Sequence, residues 1–157
     1  MLGLGSDHNG YELKERLCAH MPRLGLAIRD FGTFSPDPVD YPDIAIPVAE
    51  AVASGEVEGA VLICRTGLGM AIAANKVPGV FAASVTDIAT AVAARRSNDA
   101  RVIALGAQFV PCALATQIVH AWLSTEFQGG DSARKLAKIR DLERRYWRVP
   151  VALAIAG

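Results

Sequence analysis

The chain has 157 residues, of which 52% are hydrophobic, and its 16 basic residues balance 16 acidic ones. This length predicts one domain with a proper core. Zero net charge argues against general nucleic-acid binding, because nucleic-acid-binding domains are usually strongly basic. No run of residues approaches the roughly 18 apolar residues of a membrane span. Three cysteines without CxxC spacing argue against a disulfide framework or a zinc site, and they indicate a reducing cytoplasm.

Strand-like and helix-like segments alternate along the chain. The predicted strands span residues 2–5, 26–30, 60–63, 80–85 and 101–105. The predicted helices span residues 11–21, 42 to about 55, 67–76, 87–96, 111–123 and 131 to about 147. Short links between alternating elements predict a parallel sheet that is covered by helices on both faces. We therefore expect a single domain over residues 1–148, followed by an apolar tail over residues 149–157.

The last predicted helix stands apart from this alternation. From residue 131 to residue 148 it carries seven basic and three acidic side chains, a local charge of +4 on a neutral protein. Its apolar stripe consists of Leu136, Ile139, Leu142 and Tyr146. Three interpretations stay open: a solvated outer face, a first turn that meets an anionic ligand, or a helix that embraces a partner subunit.

The most informative segment runs from Ile63 to Met70, where a buried strand ends at Cys64 and a glycine-containing turn leads into a helix. In open α/β sheets, ligands bind at the carboxyl ends of the strands. A helix start favours anions and the thiolate form of cysteine. A base beside an anion-binding loop is what proton transfer next to a carbonyl requires. The alternative is a buried core thiol, which is our interpretation of Cys18 and Cys112 inside apolar helices.

Four segments together resemble the type B ribose-5-phosphate isomerases and the related galactose-6-phosphate isomerase subunits. The segments are Gly5-Ser6-Asp7-His8-Asn9-Gly10, Asp40-Tyr41-Pro42, Cys64-Arg65-Thr66-Gly67-Leu68-Gly69 leading into Ala73-Ala74-Asn75-Lys76, and Ser97-Asn98-Asp99-Ala100. The resemblance implies a Rossmann-like three-layer α/β/α sandwich with a five-stranded parallel sheet and an extra C-terminal helix. It also implies a homodimer or tetramer that needs no metal or other cofactor.

The same resemblance implies an aldose–ketose isomerase that acts on a sugar phosphate, by default ribose 5-phosphate, through a cis-enediolate. Cys64 is then the catalytic base, and Thr66 moves a proton between the two substrate oxygens. The loop whose backbone N–H groups would bind the oxyanion consists of Arg65, Thr66, Gly67, Leu68 and Gly69. For Thr66 the open alternative is a helix N-cap.

The remaining site residues also follow from the resemblance. Asp7 would bind sugar hydroxyls, His8 would lie near the phosphate, and Tyr41 would wall the pocket. Asn98 would reach the sugar from the neighbouring subunit. For His8 the open alternative is a turn residue that is hydrogen-bonded to backbone, and for Tyr41 it is an ordinary loop anchor.

This chain departs from the family pattern at the residue before Asn98. Ser97 stands where the type B enzymes typically have a histidine that helps to open the sugar ring, and serine does not titrate near neutral pH. Ring opening is then slower, is carried by another group, or is unnecessary. Related members with Ser-Asn include enzymes for tetrulose phosphates. These sugars do not form a ring through the oxygen that carries the phosphate, so they need no ring-opening group.

The other departures concern charge. Asp131, Lys135 and Gln108 stand at positions where the family places arginines, and Arg65 stands where it usually has glycine. Arg65 either acts on the thiol or a ligand anion, or it points to solvent, and Arg134 is a further cation for the phosphate. A different sugar substrate (a tetrose, hexose or deoxy sugar) and a weakly active subunit of a hetero-oligomer therefore remain alternatives.

Overall fold

The computed structural model describes residues 1–146, and within them five strands form one parallel sheet in the order β2-β1-β3-β5-β4. The strands are β1 (Leu2–Ser6), β2 (Ile28–Asp30), β3 (Gly59–Cys64), β4 (Ala82–Ser84) and β5 (Val102–Gly106). This confirms the predicted five-stranded parallel sheet. The predicted apolar tail and the expected helix end near residue 147 lie outside the described residues.

Six α-helices surround the sheet, and five of them cover its two faces. The six helices are α1 (Tyr11–His20), α2 (Tyr41–Ala53), α3 (Leu68–Ala74), α4 (Ile88–Asn98), α5 (Cys112–Leu123) and α6 (Gly130–Tyr146). Helices α1, α4 and α5 pack on one face, and α2 and α3 pack on the other, which makes the predicted three-layer sandwich. No helix within residues 1–146 is long and apolar enough to cross a membrane.

The alternation of leucine and glycine in β1 lets α2 lie close to the sheet. Leu2 and Leu4 are buried in the core under α1, while the glycines between and after them face the other way. A Cβ on Gly5 would lie 2.8 Å from Ile44 Cγ2 and 3.0 Å from Val48 Cγ2. Glycine thus lets the helix approach the strand closely and places the first residue of α2 near the carboxyl edge of the sheet.

The two outer strands are shorter than the sequence predicts, and local hydrogen bonds explain why. The amide of Leu26 donates to the Met21 carbonyl at 3.3 Å, so it belongs to the turn that closes the 3₁₀-helix Met21–Leu24. The amide of Val80 donates to the Val77 carbonyl at 3.2 Å, which closes another turn. Residues that satisfy their N–H groups within a turn are not available to the ladder.

Polar side chains fix the ends of two helices. The Asn75 side chain donates to the Ala71 carbonyl and exchanges two hydrogen bonds with the Ala82 backbone, at 2.8 and 2.9 Å, so it ties the end of α3 to β4. The Asp87 carboxylate accepts the Thr90 N–H at 2.7 Å and so caps the N-terminus of α4.

Candidate active site

Cys64 is the last residue of β3, and its side chain is 5% exposed. Its Sγ accepts the N–H of Gly67 at 3.1 Å, so the loop folds back over its own thiol. Gly67 has a φ of 79°, and a Cβ there would lie 3.0 Å from the Leu105 carbonyl carbon. Both the backbone conformation and the lack of space require glycine. The sequence therefore fixes an N–H donor on the sulfur.

The thiol loop is held against the segment that follows β5. The amide of Ala107 donates to the Cys64 carbonyl at 2.9 Å, and the amide of Gln108 donates to the Arg65 carbonyl at 3.1 Å. A Cβ on Gly106 would lie only 2.6 Å from the Thr66 carbonyl oxygen. Hydrogen bonds thus continue past the ends of both strands and hold the loop against the segment that follows β5.

The loop presents a hydroxyl, backbone amides and an aromatic ring next to the thiol. Thr66 Oγ1 accepts the Leu68 N–H at 3.4 Å, but Thr66 is not the N-cap that the alternative interpretation expects, because the N-cap of α3 is Gly67. Within the described residues, the N–H groups of Thr66 and Gly69 donate to no backbone oxygen. The ring of Tyr41 lies over Gly69, where a Cβ would be 2.8 Å from the ring carbon Cζ. Together these groups can surround a small polar ligand.

A tight turn after β1 lies against the end of β3. The Asp7 N–H donates to the Ile63 carbonyl at 3.1 Å, and the Asp7 carboxylate accepts the N–H groups of Asn9 and Gly10 at 2.9 and 3.0 Å. His8 Nδ1 lies 3.2 Å from the Val39 nitrogen, so the ring is hydrogen-bonded to backbone, as the alternative interpretation expects. The structure therefore brings Asp7 and His8 to the sheet edge that carries Cys64.

The other predicted substrate-binding residues lie elsewhere in the protomer. Helix α4 runs back from the carboxyl edge and ends at Asn98, three residues before Arg101, whose carbonyl accepts the N–H of Ala60 near the start of β3. The start of α6 is nearby, because the Gln128 N–H donates to the Arg96 carbonyl at 3.0 Å. The residues that are not brought to Cys64 within one protomer are Ser97, Asn98, Arg134 and Lys135.

A buried lysine that sequence reasoning missed supports the loop after β2. Lys14 is fully buried, and its Nζ lies 2.5 Å from Asp30 Oδ2, 2.7 Å from Glu15 Oε1 and 5.4 Å from the Phe34 ring centroid. Burial lowers the pKa of Lys14, but the hydrogen bonds to Asp30 and Glu15 outweigh it and leave the pKa above 10.5. A lysine at a helical position usually indicates a solvated face, so the sequence carries no clear signal for this contact.

A second missed contact joins two positions that the sequence singled out separately. Arg65 Nε donates to Gln108 Oε1 at 3.2 Å, although the two residues are 43 apart in the chain. Both depart from the family pattern, and both follow neighbouring strands by one or two residues. Joint departure at paired strand ends is the signal that could have linked them. Within residues 1–146, no group of three His, Cys, Asp or Glu side chains could hold a metal ion.

Comparison with known proteins agrees with this architecture. The family model described as Ribose/Galactose Isomerase matches residues 2–139, and the chain belongs to this family. Ribose-5-phosphate isomerase B of Escherichia coli is 41% identical over 144 residues, which cover 92% of this chain and 97% of that protein. D-erythrulose-4-phosphate isomerase of Pectobacterium atrosepticum is 41% identical over 141 residues, which cover 88% and 91%.

Solved structures show the same fold. The structure of Clostridium thermocellum ribose-5-phosphate isomerase B superposes with a TM-score of 0.91 at 48% identity, and the match covers 92% of this chain and 98% of that one. The resemblance on which the sequence analysis rests is therefore confirmed over nearly the whole chain.

Proposed function

We propose that this protein interconverts an aldose phosphate and a ketose phosphate, by default ribose 5-phosphate and ribulose 5-phosphate. The main observation in support is the position of the Cys64 thiol. It accepts the Gly67 N–H beside the Thr66 hydroxyl, at the carboxyl edge of the sheet. The relative from Escherichia coli is named for this substrate and supports the default.

The chemistry follows from the groups in the loop. The Cys64 thiolate takes the proton from C2 of the open-chain aldose, and the electron pair of that C–H bond forms the double bond of a cis-enediolate. Free N–H groups within residues 65–69 stabilise the negative charge that develops on O1. Thr66 passes a proton between O1 and O2, and the thiol returns its proton to C1. No cofactor takes part in these steps.

The neighbouring side chains orient the sugar in this proposal. One carboxylate oxygen of Asp7 accepts two backbone N–H groups. The other lies 3.4 Å from the side-chain nitrogen of Asn9 and can accept a hydrogen bond from a sugar hydroxyl. His8 lies near the phosphate, and Tyr41 closes one wall over Gly69. The structural roles of Asp7 and His8 hold both side chains in place for binding.

A second copy of the chain completes the site in this proposal, in a homodimer or a tetramer. The residues that it would contribute are Ser97, Asn98, Arg134 and Lys135. Exposed apolar side chains next to the thiol loop support this arrangement, because Leu68 and Ile72 of α3 are 59% and 61% exposed and Ile46 of α2 is 41% exposed. Apolar patches of this kind often mark interfaces.

The decisive experiment is an isomerisation assay of the purified protein with proton exchange into deuterated water. We expect turnover of ribose 5-phosphate, with deuterium at C1 of ribulose 5-phosphate and, through the reverse reaction, at C2 of ribose 5-phosphate, and a loss of both by at least about 1,000-fold in Cys64→Ala. Cys112→Ala is the matched thiol control and should keep its rate. Exchange that persists in Cys64→Ala would contradict the thiol mechanism.

A four-carbon sugar phosphate is the second candidate substrate. Ser97 replaces the histidine expected to assist ring opening, and one close relative is named D-erythrulose-4-phosphate isomerase. Erythrulose 4-phosphate needs no such step. The assay should therefore compare ribose 5-phosphate with erythrulose 4-phosphate, allose 6-phosphate, galactose 6-phosphate and free aldoses. Full activity of the homo-oligomer would reject the weakly active subunit of a hetero-oligomer.

The proposal also places the reaction in a reducing cytoplasm. All three cysteines are free thiols, and an enzyme that uses Cys64 as a base depends on the reduced form. Activity that is lost on oxidation and restored by a thiol reductant would agree with this compartment, and activity that is indifferent to oxidation would not.

A further inference from the structure

Arg65 is held in a defined position beside the thiol. Its Nε donates to Gln108 Oε1 at 3.2 Å, and its carbonyl accepts the Gln108 N–H at 3.1 Å, so backbone and side chain contact the same residue. An exposed arginine on a flexible loop usually samples many rotamers. Here the two contacts restrict the side chain and aim it along the end of β5.

The terminal nitrogens of this guanidinium remain open for a ligand. Within residues 1–146, no carboxylate pairs with Arg65, and Gln108 takes only its Nε hydrogen. Gln108 is neutral, so it orients the cation without cancelling its charge. A guanidinium with its two outer N–H groups free matches the oxygens of a phosphate bidentately.

A groove adjoins this position and is large enough for a sugar phosphate. It has a volume of about 490 Å³ and is lined by His8, Arg16 and Ala107, the residue before Gln108. Ligand pockets for small molecules typically have volumes of about 300–1,000 Å³. The groove therefore runs from the turn after β1 to Ala107, next to Gln108, and Arg65 itself lies outside its lining.

We propose that Arg65, oriented by Gln108, binds the phosphate of the substrate and selects phosphorylated over unphosphorylated sugars. The proposal rests on the isomerase function, but it concerns binding of an anion and can be measured without turnover. Arg65 contacts the ligand, and Gln108 is a positioning residue.

The test compares ribose 5-phosphate with ribose by titration calorimetry in a Cys64→Ala background. Arg65→Ala should weaken binding of ribose 5-phosphate about ten- to a hundredfold and leave binding of ribose unchanged, because only the charge-assisted hydrogen bonds to the phosphate are lost. Arg65→Lys should lie between, since lysine keeps the charge without the fork. With the thiol intact, KM should rise by the same factor while kcat changes less than about threefold.

Three further variants separate the orienting role of Gln108 from general damage to the protein. Gln108→Leu should raise KM severalfold when Arg65 is present and have no effect in Arg65→Ala, and the pair Arg65→Gln with Gln108→Arg should recover most of the affinity. Arg23→Ala removes an exposed arginine from the 3₁₀-helix and serves as the matched control. Kd and KM for ribose 5-phosphate that stay within twofold of the parent in Arg65→Ala would overturn the proposal.

These outcomes separate the proposed isomerase function from the proposed anion site. Phosphate-dependent binding through Arg65 without isomerisation of any sugar would reject the proposed function and keep the anion site. Isomerisation with an unchanged KM in Arg65→Ala would reject the anion site and keep the function.

Discussion

The two edges of the sheet carry different halves of the predicted site. At the carboxyl edge, Cys64, Thr66, Asp7 and His8 lie on turns that are hydrogen-bonded to one another or to neighbouring strands. At the amino edge, Asn98 is exposed at the end of α4. The first half is a preorganised set of chemical groups, and the second half consists of polar side chains that lie away from the Cys64 thiol of the same protomer.

This difference teaches that a single protomer does not hold every residue that the resemblance assigns to the site. A helix that returns across a parallel sheet necessarily separates residues at its two ends by its own length. For the 11 residues of α4, that separation is about 16 Å at 1.5 Å per residue. Asn98, at the far end of α4, is thus separated from the carboxyl edge that carries Cys64, and the proposed shared site brings the two residues to one ligand from two copies.

Subunit mixing tests this separation most directly and has the largest expected effect. Cys64→Ala and Asn98→Ala should each be nearly inactive alone. When the two variants are unfolded and refolded together, half of the dimers are mixed, and one of the two sites in each mixed dimer has both native residues. We expect activity to rise to about a quarter of the native level, measured by isomerisation rate per subunit.

The control for mixing is the same pair kept folded in separate samples and combined only in the assay. No recovery is expected there while subunits do not exchange. If refolded mixtures stay at the average of the two single variants, both residues act within one protomer or Asn98 has no role, and the shared site is wrong.

A pair of glycine substitutions should affect the two edges unequally. A Cβ on Gly106 would collide with the Thr66 carbonyl oxygen at 2.6 Å, so Gly106→Ala must displace the thiol loop. We expect a loss of about 2–3 kcal/mol in the free energy of unfolding and at least about a tenfold fall in kcat/KM. Chemical denaturation and steady-state kinetics measure these effects.

Gly25→Ala is the matched substitution near the amino edge. Gly25 has a φ of 79° and open space around its Cβ position, so alanine costs only about 1–2 kcal/mol of backbone strain and should leave kcat/KM unchanged. Equal effects of the two substitutions on kcat/KM would contradict the rigid loop at the carboxyl edge.

The smallest expected effect concerns the cap of α4, the helix that joins the two edges. The Thr90 N–H holds the pKa of the Asp87 carboxyl below its usual value of 3.8. A lowered pKa in the folded state means that the charge stabilises the fold above that usual value and that this stabilisation is lost as the pH falls. Asp87→Ala should therefore lower Tm by about 2–4 °C at pH 7 and by less near pH 3.

Asp87→Asn isolates the charge in this experiment, because asparagine keeps the capping geometry without an ionisable group. Its Tm difference from the parent should be smaller than that of Asp87→Ala and nearest to zero at low pH. A Tm difference for Asp87→Ala that grows as the pH falls would contradict the assigned role of the carboxylate.

The elements and the thiol loop could be predicted from the sequence because their signals are local. Apolar runs mark β3 and β5, Asp87 marks a helix start, and the glycine pattern after Cys64 marks a tight turn. Periodicity within a short window is enough for these features. The resemblance added the roles of the site residues, which no local pattern carries.

The order of the strands and the pairings between distant residues could not be predicted in this way. Alternation of strands and helices does not distinguish the full observed order from others, although a doubly wound sheet does place β1 beside β3, as the structure shows. The contact between Arg65 and Gln108 depends on the register of β3 and β5, and the burial of Lys14 depends on Asp30 at the end of β2. Such contacts exist only once the sheet has formed.

The three-residue length of both outer strands also has a consequence for how the chain behaves before it is fully folded. Parallel sheets form slowly, because every strand pair must wait for a long crossover segment to close. During that time an open sheet edge can pair with an edge of another chain and begin aggregation. Here each edge offers a template of only three residues, which is too short for a stable intermolecular ladder, so refolding should tolerate a high protein concentration.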